Sequence, residues 1–190
     1  MNPPKSKSAP APETGGLTPI PAATMVSFLE GMQRVLLNES PADGDIALTE
    51  HLDRKKLDFS PDSLHEIDRY LSSVHEHAED VSGLPLLSTI WTIAMYVGEV
   101  IRRQAHSKHY AWVSVGEASG LSGETTIAYP DLGAVRALRA KDGDMCMPSR
   151  IVLRIILRGA KARTVYSFAQ AAMGPADIPT QSGSPHENTP

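Results

Sequence analysis

The sequence predicts an α+β fold in which helices pack around a central apolar helix beside a small antiparallel sheet, and three observations predict it. Residues 85–103 are apolar on almost every side, over a length that suits a buried helix. Two stretches before it, 22–37 and 61–79, repeat their apolar residues at three- and four-residue steps, the pattern of helices that pack by one face. From Tyr110 onward the period shortens toward two, and β-branched and aromatic residues take over. A chain of 190 residues makes one ordinary domain. Its 41% apolar and 21% charged content is the balance of a globular chain, and with 5% aromatic residues the core must be filled mainly by aliphatic side chains.

The ends differ in composition from the middle. Residues 1–21 hold six prolines among Ser, Ala, Lys and Gly, and residues 174–190 hold four prolines with Ser, Thr and Asn. Neither stretch has enough apolar surface to offset its ordering entropy, so both are expected to be disordered tails flanking one folded domain at 22–173. Met1-Asn2-Pro3-Pro4-Lys5 leads into Ser, Ala and Pro rather than an apolar run, so no secretory signal is read and a cytoplasmic location is expected. Cys146 is the one cysteine, which excludes an internal disulfide and a multi-cysteine metal site. It reads as a small buried hydrophobe.

Within the domain the elements follow in order. In residues 22–37, Met25, Phe28, Leu29, Met32, Val35 and Leu36 form one helical stripe. Turn formers at 38–45 end it, and 46–56 is a mixed stretch without a firm assignment. Ser60 is placed to cap the next helix, with Pro61 at its first position and Asp62 favourable to the dipole. That helix should bury Leu64, Ile67, Leu71, Val74 and Ala78 and leave His65, Glu66, Asp68, Arg69, Glu76 and Glu79 toward water. After Ser82-Gly83 comes the central helix. Its length suits a membrane span, but the run contains Glu99, three hydroxyl residues (Ser88, Thr89, Thr92), an early Pro85 and a mid-helix Gly98, and a charge at that depth is costly in lipid, so it reads as a buried core helix. Gly98 costs about 1 kcal/mol relative to Ala in a helix interior, and so predicts another backbone crossing closely. Glu99, buried or half-buried, has Arg102 and Arg103 three and four residues on as partners.

Residues 110–115 and 125–129 read as two hairpin strands separated by a Gly/Ser loop. Residues 133–140, closed by Asp142-Gly143, read as a third strand, although their composition also suits a helix. Pro148 opens 149–158 as a helix with Gly159 as its stop, a strand being the competing reading, and 162–173 reads as the last helix. Arg150, Arg154 and Arg158 recur every four residues, either as a solvated stripe or as a contact surface for an acidic partner or phosphates.

Charge is segregated. Residues 39–80 carry twelve carboxylates against four Lys or Arg, and residues 134–165 carry eight Lys or Arg against two Asp. That layout favours head-to-tail self-association or steering toward an oppositely charged partner. The net charge of −4 argues against a protein that neutralises nucleic-acid phosphates over its whole surface.

Catalytic signatures are thin. No phosphate-binding glycine loop, nucleophile elbow or His-Glu-x-x-His motif is present. His75 and His77 lie about 200° apart around a helix and cannot chelate one ion from a single face. No cofactor or metal is implied. With His65 or Glu79 added to His75 and His77 a metal site is conceivable, and Glu99 with His106 or His109 would serve a small hydrolase or metal-dependent enzyme.

Leu57-Asp58-Phe59-Ser60-Pro61-Asp62-Ser63-Leu64, then Tyr96-Val97-Gly98-Glu99-Val100-Ile101, then Trp112, follow one another in an order that resembles a group of small bacterial α+β proteins. That group has a Leu-Asp-(Phe/Tyr)-Ser-x-x-Ser-Leu helix start and an aromatic-x-Gly-Glu-Val-Ile central helix before a Trp-bearing strand. The resemblance spans roughly residues 57–112, more weakly 148–168, and does not extend to the Pro-rich tails. Small bacterial domains of this kind are often immunity proteins or accessories of secreted toxins. The resemblance therefore implies a non-enzymatic protein-binding role, most concretely an immunity or antitoxin-type inhibitor. On this reading Glu66, Asp68, Glu76 and Glu79 on the acidic side, and Arg150, Arg154 and Arg158 on the basic side, meet the partner, while Gly98, Glu99 and Trp112 are structural.

Overall fold

A computed structural model describes residues 17–37, 46–115, 135–161 and 163–174. Helices α1 (Ala22–Leu37), α2 (Ser63–Glu76), α3 (Gly83–Gln104), α4 (Pro148–Arg158) and α5 (Val165–Met173) surround one apolar core, beside strands β1 (Leu17–Pro19), β2 (Ala111–Val115), β3 (Val135–Arg139) and β4 (Met145–Cys146). The strands form an antiparallel meander in the order β1-β2-β3-β4. The fold is α+β, as the sequence predicts.

The period-3.6 readings translate directly. On α1, Met25, Met32 and Leu36 are buried, with Phe28, Leu29 and Val35 packed against them. The whole second half of α3, from Ile93 to Ile101, is buried, while Leu84 at its start is 77% exposed. This helix is long and apolar enough to cross a membrane by composition, yet 61% of its most apolar stretch is covered by the rest of the chain, which fits the core of a soluble protein.

Several expectations need correction. Residues 17–19, assigned to the N-terminal tail, form β1 and pair with β2 in the register Leu17 to Val115. The helix expected at 61–79 is shorter: Ser60 accepts from the Ser63 N–H, a tight first turn runs through Pro61, and Glu76 ends α2, leaving Ala78 exposed. α2 does not cover α3 broadly. α4 packs against both, and is the main neighbour of the central helix. The expected strand at 125–129 lies outside the described residues. Residues 149–158 are the expected helix and not the competing strand, because Pro148 pre-sets the first turn, Gly159 at φ 73° stops it, and Ile151, Val152, Ile155 and Ile156 fall on one buried face.

The mixed stretch after α1 has no regular element beyond two single 3₁₀ turns, at Thr49–His51 and Arg54–Lys56, and is fastened by side chains. The Ala47 N–H donates to Thr89 Oγ1 of α3 at 2.9 Å, and the Ala47 carbonyl accepts from the Tyr70 hydroxyl of α2. Phe59 sits at φ 62°, a left-handed conformation that costs a bulky L-residue about 1–2 kcal/mol. Its neighbours on α3 hold it there. Its N–H donates to the Tyr96 hydroxyl at 3.0 Å, its carbonyl accepts from Gln104, its ring stacks on Tyr96 at 4.8 Å, and the Arg103 guanidinium covers the ring at 3.8 Å.

Candidate functional site

The acidic residues of α2 do not form the continuous outward surface expected of them. Glu66 is buried, and its carboxylate accepts from the Asp53 N–H at 2.7 Å, from Arg69 Nε at 3.0 Å and from the other Arg69 nitrogen, with Lys56 at 3.6 Å. Burial pushes this carboxyl up, but Arg69, the Asp53 N–H and Lys56 together hold it below the usual value. Asp68 is half-buried. Its two oxygens accept from the N–H groups of Val165 at 2.6 Å and Tyr166 at 3.1 Å, so it anchors the first turn of α5, alongside the Thr164–Ser167 capping box. Burial dominates there and raises its carboxyl, outweighing those hydrogen bonds. Only Glu76 and Glu79 remain exposed, near the end of α2. The reason is tertiary: the 3₁₀ turn at Arg54–Lys56 and the start of α5 land on the flank of α2 that its own pattern assigns to water.

The basic residues face outward, which both readings of the stripe share. Arg150, Arg154 and Arg158 are all exposed on α4, and Leu157 between them is 58% exposed. At 100° per residue these four side chains occupy an arc of about 100°. Arg154 and Arg158 make no ion pair among the described residues.

Glu99 is fully buried, and both of its oxygens are engaged: Arg102 Nε donates at 3.0 Å and Arg103 Nε at 3.0 Å, with a further bond from Arg102. Burial works to raise its carboxyl, and the two guanidiniums overcome that and lower it. A carboxylate held ionised this firmly is poorly suited to deliver a proton. His106 and His109 are exposed, and no hydrogen bond or ion pair joins either to Glu99 among the described residues. His75 accepts a different duty, its Nδ1 lying 2.8 Å from the Ile156 carbonyl at the end of α4. Among the described residues no group of three or more His, Cys, Asp and Glu is placed to hold a metal ion.

Gly98 is crowded as expected, but by a side chain. A Cβ there would lie 2.2 Å from the Trp112 ring and 3.2 Å from Pro148, so the close neighbours are an indole on β2 and the first residue of α4, and no backbone crossing is needed. Cys146 is buried, and burial pushes its thiol up to about 12, which leaves it without nucleophilic character.

One cluster escaped the sequence reading. Arg136 on β3 places its guanidinium 3.7 Å from the ring centre of Phe28 on α1 and 5.2 Å from that of Trp91 on α3. Its signal in the sequence is an arginine within a period-2 strand, one residue from Ala137 and two from Leu138, where a solvent-facing neighbour is the ordinary reading. Comparison with protein families, with curated proteins and with solved structures gives no match for this chain.

Proposed function

We propose that the protein is a non-enzymatic binding protein that docks the basic face of α4 on an acidic surface of another protein, its concrete form being an immunity or antitoxin-type inhibitor acting in the cytoplasm. One observation carries this reading: Arg154 and Arg158 share an exposed arc with Leu157 and Arg150, and neither Arg154 nor Arg158 has an ion-pair partner among the described residues. Like charges four residues apart on a helix cost about 0.2–0.5 kcal/mol per pair, so the stripe brings the fold no evident benefit. Arginine is also among the residues that most often anchor protein interfaces. Of the four acidic residues expected to meet the partner, Glu66 and Asp68 are engaged internally and Glu76 and Glu79 face outward.

The test is capture by the immobilised full chain from an extract of the native cell, at low and moderate salt, compared with an Arg154→Glu/Arg158→Glu variant. A partner with an acidic surface should be retained by the wild type, lost by the variant and recovered when its own carboxylates are exchanged for lysines. Co-expression with the wild type should relieve that partner's toxicity. Retention of the same proteins by both forms, or of none by either, overturns the reading. Retention only of further copies of this chain replaces it with head-to-tail self-association through Glu76 and Glu79.

A further inference from the structure

Arg136 is set apart by its burial from the other arginines that lie over aromatic rings, since Arg103 and Arg163 are exposed. Arg69, Arg102 and Arg103 are exposed, yet each holds a carboxylate. Arg136 is half-buried and holds aromatic rings. Covering a guanidinium without an anion is unfavourable, and burial draws its ionisation below the ordinary arginine value, with no ion pair to a carboxylate among the described residues acting the other way.

The surroundings are those of a small recognition site. Three elements converge, β3 with Arg136, α1 with Phe28 and α3 with Trp91, and both aromatic residues are themselves half-buried, so the cluster opens to solvent. Along β3 the face turned toward the helices runs from Leu138, fully buried opposite Trp112, to Arg136, opposite the half-buried Ser114. Directly paired residues project to the same face, which sets Ser114 beside the base of the Arg136 side chain. A ring on the guanidinium face leaves its in-plane N–H fork unobstructed, and that fork matches the two oxygens of a carboxylate. No hydrogen bond from Arg136 to another described residue occupies it.

We infer that Arg136, flanked by Phe28, Trp91 and Ser114, is a binding site for a carboxylate carried on an apolar or aromatic group, the fork taking the carboxylate and the two rings taking the apolar part. Such a division between one charged anchor and apolar walls is how small-ligand sites obtain both orientation and affinity. The same chemistry can arrive as a free organic acid or as the terminal carboxylate of a peptide. The site does not depend on the α4 reading, and the two fail separately.

The test is an NMR titration of the full chain with sodium benzoate, benzamide, inorganic phosphate and a short peptide ending in phenylalanine, reading the Arg136 Nε–H and the Trp91 indole N–H. Benzoate should give a saturable shift at both groups, benzamide little. Arg136→Met, which keeps the aliphatic stem, and Arg136→Lys, which keeps the charge and loses the fork, should each weaken benzoate by about tenfold or more. The Arg154→Glu/Arg158→Glu variant should bind benzoate as the wild type does. If the peptide binds more tightly than benzoate, the source is a chain terminus; if less tightly, a free acid. Equal responses to benzoate and benzamide, a stronger response to phosphate, no saturable shift at all, or undiminished benzoate binding by Arg136→Met and Arg136→Lys overturns the inference. Arg136→Lys keeps the test valid should Arg136→Met fail to fold.

Discussion

Trp112 lays the outer edge of its indole against Gly98, so close that a methyl group on that glycine would sit 2.2 Å from the ring. The pair joins the central helix to the middle of the sheet, and Pro148 closes the third side at 3.2 Å. Replacing Gly98 by alanine would recover about 1 kcal/mol of helix propensity. It would also force a buried ring out of a filled space, at a cost of about 3 kcal/mol or more. Gly98→Ala is therefore expected to destabilise by about 2 kcal/mol in denaturant unfolding. The same change in a Trp112→Leu background should be neutral or stabilising, and equal losses in both backgrounds would show that the ring is not the obstacle.

Glu99 gives the protein an acid-side limit. Its carboxyl is held below the ordinary value in the fold, so the stabilisation is complete above about pH 4.5 and is lost as pH falls through the lowered folded value. Glu66 acts in the same sense, and Asp68, whose carboxyl is raised, in the opposite one. Glu99→Gln should cost about 2 kcal/mol at neutral pH and flatten the decline in stability below pH 4.5. Unfolding curves collected from pH 7 to pH 3 measure both. A variant that loses stability but keeps the wild-type slope would place the acid sensitivity elsewhere.

Asp68 reaches across 97 residues of chain to hold the first turn of α5. Asp68→Ala removes acceptors for two amides that the helix itself cannot satisfy, at a cost of about 1–2 kcal/mol. The loss should appear first as faster hydrogen exchange at Val165 and Tyr166, while amides of α3 keep their protection until global unfolding. Slower or unchanged exchange at those two positions would mean that the Thr164–Ser167 capping box suffices by itself.

Charge removal at Arg154 and Arg158 should leave folding nearly untouched. Arg154→Gln/Arg158→Gln is expected to shift stability by no more than about 0.5 kcal/mol, in the stabilising direction, because repulsion along the stripe is relieved. A loss of several kcal/mol in thermal or denaturant unfolding would mean that the stripe supports the fold.

The parts of the fold that sequence alone conveyed are those written in local periodicity. Met25, Met32 and Leu36 on α1, Leu64, Ile67, Leu71 and Val74 on α2, and the unbroken apolar run of α3 each announce their element within a few turns of chain. The basic face of α4 was legible for the same reason, a four-residue repeat on an otherwise apolar helix. What was not legible depends on distant segments. Glu66 lies on the polar flank of its helix, and only the arrival of the Asp53 N–H and Lys56 makes that flank interior. Leu17–Pro19 pair as a strand because β2 offers them an edge, against a composition rich in proline. Gly98 announced crowding but not its source, since a helix pattern says where room is short and nothing about which residue takes it. Arg136 was not singled out in the sequence, because its aromatic neighbours come from α1 and α3.

Ala47 has its N–H taken by Thr89 of one helix and its carbonyl taken by Tyr70 of another. The two bonds are made together only once α2 and α3 stand in their final relation, while Phe59, held by Tyr96 and Gln104, needs α3 in place. The segment they bracket thus records the docking of the helices instead of guiding it. In time, it should settle after the helical core has closed: substitutions at Thr89 or Tyr70 that break these fastenings would hasten unfolding and leave the refolding rate almost unchanged.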